Sequence, residues 1–125
     1  MEQEDKELLL KDICSRLPYR VKCKYYDCCE GDYDDGTICG FERKEYIQID
    51  GVCIHIEEVK PYLFPLESMS EEQKEEYQDL LDNQYSFDAN GNIFTLQDFY
   101  CKYHLDYRGM IPMGLAIDAT KLNVY

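Results

Sequence analysis

Apolar side chains near the start of the chain recur at a helical spacing. Leu9, Ile13 and Leu17 stand four apart, with Leu10 and Cys14 beside them, so residues 3–17 are expected to form a helix with one buried stripe. Pro18 closes it, because the residue before a proline avoids the α region. The period then changes to two. Val21, Cys23 and Tyr25 alternate with Arg20, Lys22, Lys24 and Tyr26, which predicts a half-buried strand over 19–26. An acidic stretch over 27–36, ending in Asp35-Gly36, reads as a turn region. Strands are expected next over 37–43, 45–49 and 52–56. Asp50-Gly51, between the last two, is the strongest hairpin signal in the chain.

The second half is predominantly helical in pattern. Residues 57–63 suggest a short helical turn leading into Pro61 and Pro65. "SMSEEQKEEYQDLLDNQ" follows as a helix, with Ser70 as N-cap and Gln73 placed for a capping box. Its apolar stripe of Tyr77, Leu80 and Leu81 is thin, so most of this helix should face water. "DANGN" is a turn. Thr95 caps a third helix over 96–104, with Leu96, Phe99, Tyr100 and Tyr103 as its apolar face. The tail reads as loop plus one short strand around 114–118. The element order predicts a single α+β domain over 1–125: an antiparallel sheet of about four strands with three helices packed on one face.

Charge narrows the class of function. The chain carries 26 acidic and 13 basic residues in 125, a net charge of -13. That balance disfavours direct nucleic-acid binding, which needs clustered Lys and Arg, and binding to anionic membranes. No apolar run approaches the ~20 residues of a membrane span. The acidic start lacks the basic-then-apolar pattern of a secretory signal, so a cytoplasmic location is expected, where the seven thiols stay reduced. The excess is concentrated between Glu57 and Asp82, where nine acidic residues face Lys60 and Lys74. Glu67, Glu71, Glu72, Glu75, Glu76 and Asp79, with Arg108 further on, form a candidate interaction surface for a protein partner with a basic face.

Candidate chemistry is sparse. Cys23, Cys28, Cys29 and Cys39 cluster in sequence, but no C-x-x-C pair is present and the spacings do not match zinc ribbons or fingers. Adjacent cysteines on an extended chain also point to opposite faces. These four are the only metal candidates, and the expected reading is a hairpin with an acidic tip. As an EF-hand the same stretch would place Gly36 at position 6 and Glu42 at position 12, but Gly31 and Tyr33 would then stand where the leading ligands belong. His55, between Ile54 and Ile56, and His104 permit a His/Cys hydrolase in principle. No nucleophile elbow, phosphate loop or dinucleotide fingerprint accompanies them. No catalytic residue and no cofactor is expected.

Three stretches carry a resemblance. "KELLLKDICSRLPY", "IEEVKPYLFPLESMSEEQKEEY" and "HLDYRGMIPMGLAIDA" resemble segments of a family of small uncharacterised proteins that recur in gut anaerobic bacteria and in their phages and prophages. The likeness implies a compact cytoplasmic accessory protein associated with mobile elements. It brings no activity, cofactor or catalytic residue to carry over. The leading expectation is therefore a non-enzymatic interaction module. The alternatives are an acidic inhibitor that mimics nucleic acid and occupies a DNA- or RNA-binding protein, and a thiol-based metal-binding protein. Within "DYRGMIP", Gly109 is expected to make a tight turn and Arg108 to pair with a carboxylate, Asp106 being the nearest in sequence.

Overall fold

All of residues 1–125 are described by the structure, a computed structural model. The predicted first helix is α1 (Gln3–Arg16). A 3-10 turn, Leu17–Tyr19, follows it around Pro18, and Arg20 takes a left-handed conformation. The first strand consequently starts later than the alternation suggests, as β1 (Lys22–Asp27). Next come β2 (Asp32–Arg43), β3 (Tyr46–Ile49) and β4 (Val52–His55). Asp50 and Gly51 both have positive φ, 47° and 88°, and Ile49 pairs with Val52 across them. This is the two-residue hairpin that Asp-Gly predicts.

Two strand assignments depart from the sequence reading. The acidic segment 32–36 is not a turn: it is the first part of β2, pairing Asp32, Tyr33, Asp34 and Asp35 with Asp27, Tyr26, Tyr25 and Lys24. Only residues 28–31 turn the chain. Partnership with β1 overrides the weak strand propensity of aspartate, helped by Lys24 facing Asp35 across the ladder and lying 5.5 Å from the Tyr33 ring. The segment read as a helical turn is also different. A 3-10 turn covers only Ile56–Glu58, and β5 (Val59–Leu63) enters the sheet beside β1, one strand from its edge. Pro61 hid it. A proline is tolerated there because the neighbour on one side, β8 (Ile117–Asp118), reaches only Tyr62 and Leu63. No partner on that side needs a proline N–H.

The main sheet has six strands in the order β4-β3-β2-β1-β5-β8, and β5 and β8 run parallel. It is thus mixed and larger than the expected four-stranded antiparallel sheet; the α+β class stands. A helix α2 (Glu71–Asn83) is capped as expected. Ser70 accepts from Gln73 N, and the Gln73 side chain accepts from Ser70 N. After it comes a hairpin the sequence reading did not separate from its turn: β6 (Tyr85–Phe87) and β7 (Ile93–Thr95), a second sheet of two strands. α3 (Leu96–Lys102) opens with Thr95 and Asp98 bonded reciprocally as a capping box. It stops two residues before the expected end, where His104 adopts positive φ.

The three helices do not share one packing face. α1 covers the sheet, and its Leu9 and Ile13 lie fully buried against Val21, Cys23, Ile38, Ile47, Ile49, Val59 and Leu63. Burying each such aliphatic side chain is worth about 1.5–3 kcal/mol. α2 and α3 meet around a separate small cluster of Leu80, Phe99 and Leu105, edged by Phe64, Tyr77, Tyr100 and Tyr103. Leu17 and Tyr103, expected in the core, are half-buried. No helix is long and apolar enough to cross a membrane.

Candidate functional site

The stripe that buries Leu9 and Ile13 also carries Asp12 and Arg16, and both are fully buried. Positions 9, 12, 13 and 16 lie on one helix face, so the helical period that buries the leucine takes the ion pair with it. Arg16 donates to Asp12 through Nε at 2.7 Å and Nη2 at 3.2 Å, and Nη2 also donates to the Leu105 carbonyl at 2.6 Å. Arg16 Nη1 has no hydrogen-bond partner within the protein. Arg108 reaches the same carboxylate, its Nε 3.1 Å from Asp12 Oδ1, and donates to the Tyr107 hydroxyl at 2.8 Å. The Tyr107 ring lies within 5.3 Å of both guanidinium carbons, inside cation–π range.

The expected partner of Arg108 was Asp106, and the structure corrects this. Asp106 turns the other way and accepts from Met110 N at 2.8 Å and Ile111 N at 2.9 Å. A carboxylate beside two free amide donors at a turn is engaged before a long arginine can claim it, so Arg108 closes a contact 96 residues away instead. Gly109 makes the tight turn, at φ +72°. The whole cluster ties α1 to the segment after α3. Sequence reasoning missed Asp12 and Arg16 because it scored only apolar residues on the stripe.

The cysteines are spread apart. All seven are free thiols. Cys23 is buried in the sheet core, and burial pushes its thiol up to about 12. Cys28 and Cys29 are exposed in the turn between β1 and β2, and Cys39 is exposed on β2. No three His, Cys, Asp or Glu side chains gather in an arrangement that could hold a metal ion. No family model matches this chain, and neither does any curated protein or solved structure.

The two histidines have different surroundings. His55 Nδ1 accepts from Glu57 N at 3.2 Å, which leaves Nε2 to donate to Glu45 at 3.2 Å. Both ring nitrogens are occupied in closing the end of β4. His104 stacks on Tyr125, ring centroids 3.9 Å apart. Its buried Nδ1 has no partner, and burial, with Arg16 and Lys22 nearby, lowers its pKa to about 4. It borders a cleft of about 440 Å³ with Ser68, Ser70, Gln73, Lys102 and Tyr103.

The acidic residues are displayed outward. Glu67 is exposed on the 3-10 turn Leu66–Ser68, and Glu71, Glu72, Glu75 and Asp79 are exposed on α2. Glu76 is half-buried and accepts from the Tyr103 hydroxyl at 2.7 Å. The one cation among them, Lys74, reaches Glu71 at 3.4 Å. The helix therefore presents a largely uncompensated negative surface. Its like-charge i,i+4 pairs, Glu71/Glu75, Glu72/Glu76 and Glu75/Asp79, each cost about 0.2–0.5 kcal/mol in an isolated helix.

Proposed function

We propose that this protein is a non-enzymatic interaction module of the cytoplasm that docks on a basic protein partner through the exposed face of α2, as an accessory factor of a mobile element. The observation that carries the reading is the negative surface of Glu71, Glu72, Glu75 and Asp79 with Lys74 as its only cation. A solvated helix needs no such imbalance, since interspersed lysines would keep it soluble and remove the like-charge penalty. Both ring nitrogens of His55 are engaged within the fold, which supports a structural role for that residue.

The test is affinity capture from a host lysate, run in parallel with wild-type protein and with a variant carrying Glu71→Gln, Glu72→Gln, Glu75→Gln and Asp79→Asn. A basic protein held by wild type, released by salt and not captured by the variant is the expected result. Identical captures by the two baits would overturn the assignment of this face.

A further inference from the structure

The β6–β7 hairpin exposes the wrong residues for a solvated surface. Its register pairs Tyr85 with Thr95, Ser86 with Phe94 and Phe87 with Ile93. Side chains alternate across a strand, so Phe94 and Ser86 share one face while Tyr85, Phe87 and Ile93 share the other. Phe94 turns inward, half-buried against the α2–α3 cluster and 5.6 Å from the Lys102 ammonium. The opposite face covers nothing. Tyr85, Phe87 and Ile93 are 49%, 63% and 64% exposed, and the Tyr85 and Phe87 rings pack edge to face at 5.7 Å. Scattered exposed apolar residues need no explanation. Three large ones adjoining on one strand face form a patch, and such patches mark contact surfaces.

The hairpin is also held in shape without a partner. The Asp88 carboxylate accepts from Asn90 N at 2.8 Å and Asn92 N at 2.9 Å, and Gly91 supplies the positive φ. Its strands bond only to each other. The patch is thus presented preformed, which lowers the ordering cost of docking.

Charge selects the occupant. From Glu71 to Lys102, the stretch that contains the hairpin, the chain carries Glu71, Glu72, Glu75, Glu76, Asp79, Asp82, Asp88 and Asp98 against Lys74 and Lys102, eight minus two, or six net negative charges. A second copy would bring the same charge against itself, within a chain of net -13. A basic segment would neutralise it.

We propose that the outer face of β6–β7 is the apolar anchor site for a basic partner protein, which seats an aliphatic or aromatic side chain on Tyr85, Phe87 and Ile93 and places adjoining lysines or arginines toward α2. This inference rests on the acidic docking face described above and assigns the specific part of the contact to the hairpin.

The experiment uses a synthetic peptide of alternating lysine and valine as the probe, with polylysine of equal charge as the comparison. Both are titrated into the isotope-labelled full chain and followed by amide chemical shifts. The expected result is that the lysine–valine peptide shifts residues 85–95, binds more tightly than polylysine, and loses about tenfold or more in affinity with Phe87→Ser and Ile93→Ser. Both side chains point outward, and unchanged amide shifts elsewhere verify that the variant is folded. If the two probes bind alike and the serine variant changes nothing, while the Glu71, Glu72, Glu75 and Asp79 variant weakens both, the hairpin assignment is overturned and the acidic face survives. If neither variant matters, or the lysine–valine peptide does not bind, both are overturned. Concentration-dependent dimerisation abolished by the serine variant would make the occupant a second copy and overturn the basic-partner assignment.

Discussion

Removing the Asp12 carboxylate should be among the most damaging single changes to this fold. Asp12 and Arg16 have no exposed side-chain surface, whereas Arg108 retains 18%. In Asp12→Leu the Arg108 head can turn toward water, but Arg16 cannot. Arg16 keeps a charged hydrogen bond to the Leu105 carbonyl and loses its only counter-ion contact shorter than 4 Å. Breaking one side of a buried pair costs about 3–5 kcal/mol, because the remaining charge stays desolvated. Against a total stability of about 5–15 kcal/mol for a typical domain, that is about a fifth or more. Arg16→Met should cost less than Asp12→Leu. It leaves Asp12 with Arg108 as partner and removes the charged hydrogen bond to the Leu105 carbonyl, which keeps the Tyr107 N–H at 3.1 Å, a loss of about 1–3 kcal/mol. The double change Asp12→Leu with Arg16→Met removes both charges and should be more stable than Asp12→Leu alone, since apolar replacement of buried pairs is often neutral. Urea unfolding followed by far-ultraviolet circular dichroism gives all four corners of the cycle, provided the denaturant slope is unchanged. An Asp12→Leu cost below about 1 kcal/mol, or a double variant that loses the sum of the two single losses, would show that the pair is not the buried, mutually dependent unit described.

Three further outcomes are expected. Alanine at Gly36 would bring its Cβ 2.6 Å from Ile49 Cγ2 and 2.7 Å from Asp50 Oδ2, so Gly36→Ala should cost about 1–3 kcal/mol through overpacking, read by the same urea assay. Gly109→Ala meets open space but keeps φ at +72°, so its cost should be limited to the left-handed penalty of about 1–2 kcal/mol. The third concerns pH. Burial holds His104 at about 4 when folded, below its ordinary 6.5, so as pH falls the unfolded chain takes up this proton first. The contribution of a neutral His104 is complete above about pH 6.5, is lost as pH falls toward 4, and levels off below. The loss is bounded near 3 kcal/mol by the shift and reduced to about 1–2 kcal/mol by the partial exposure of the ring. The difference between wild type and His104→Asn, measured by urea unfolding from pH 7 to 4, should show this slope; parallel curves would refute it.

The elements legible in the sequence are those whose cause is local. The Leu9–Ile13 stripe, the Ser70–Gln73 capping box and the Asp50-Gly51 hairpin each need only neighbouring residues to be stable, and each stands where it was expected. The misread elements need a distant partner. Asp32–Arg43 is a strand because β1 lies beside it, and Val59–Leu63 is one because β1 and β8 flank it in spite of Pro61. The β6–β7 hairpin had a local signal, apolar residues alternating on both sides of Asn90-Gly91. It was lost because three-residue strands fall below the length at which a period stands out.

The same distinction governs the candidate site, with polar and apolar exchanged. Arg108 was expected to pair with a carboxylate and does, but instead of Asp106, the nearest in sequence, its Nε meets a carboxylate of α1, 96 residues away. A composition argument cannot see such a contact, since it counts charges without placing them. Tyr85, Phe87 and Ile93 look like core by residue type, yet about half or more of each is exposed. Once Asp12, Arg16 and Arg108 are assigned to holding α1 against the segment after α3, they stop competing for a role in recognition. In the contact proposed above, the charge of α2 would attract a basic partner at long range and the apolar face of β6–β7 would hold it.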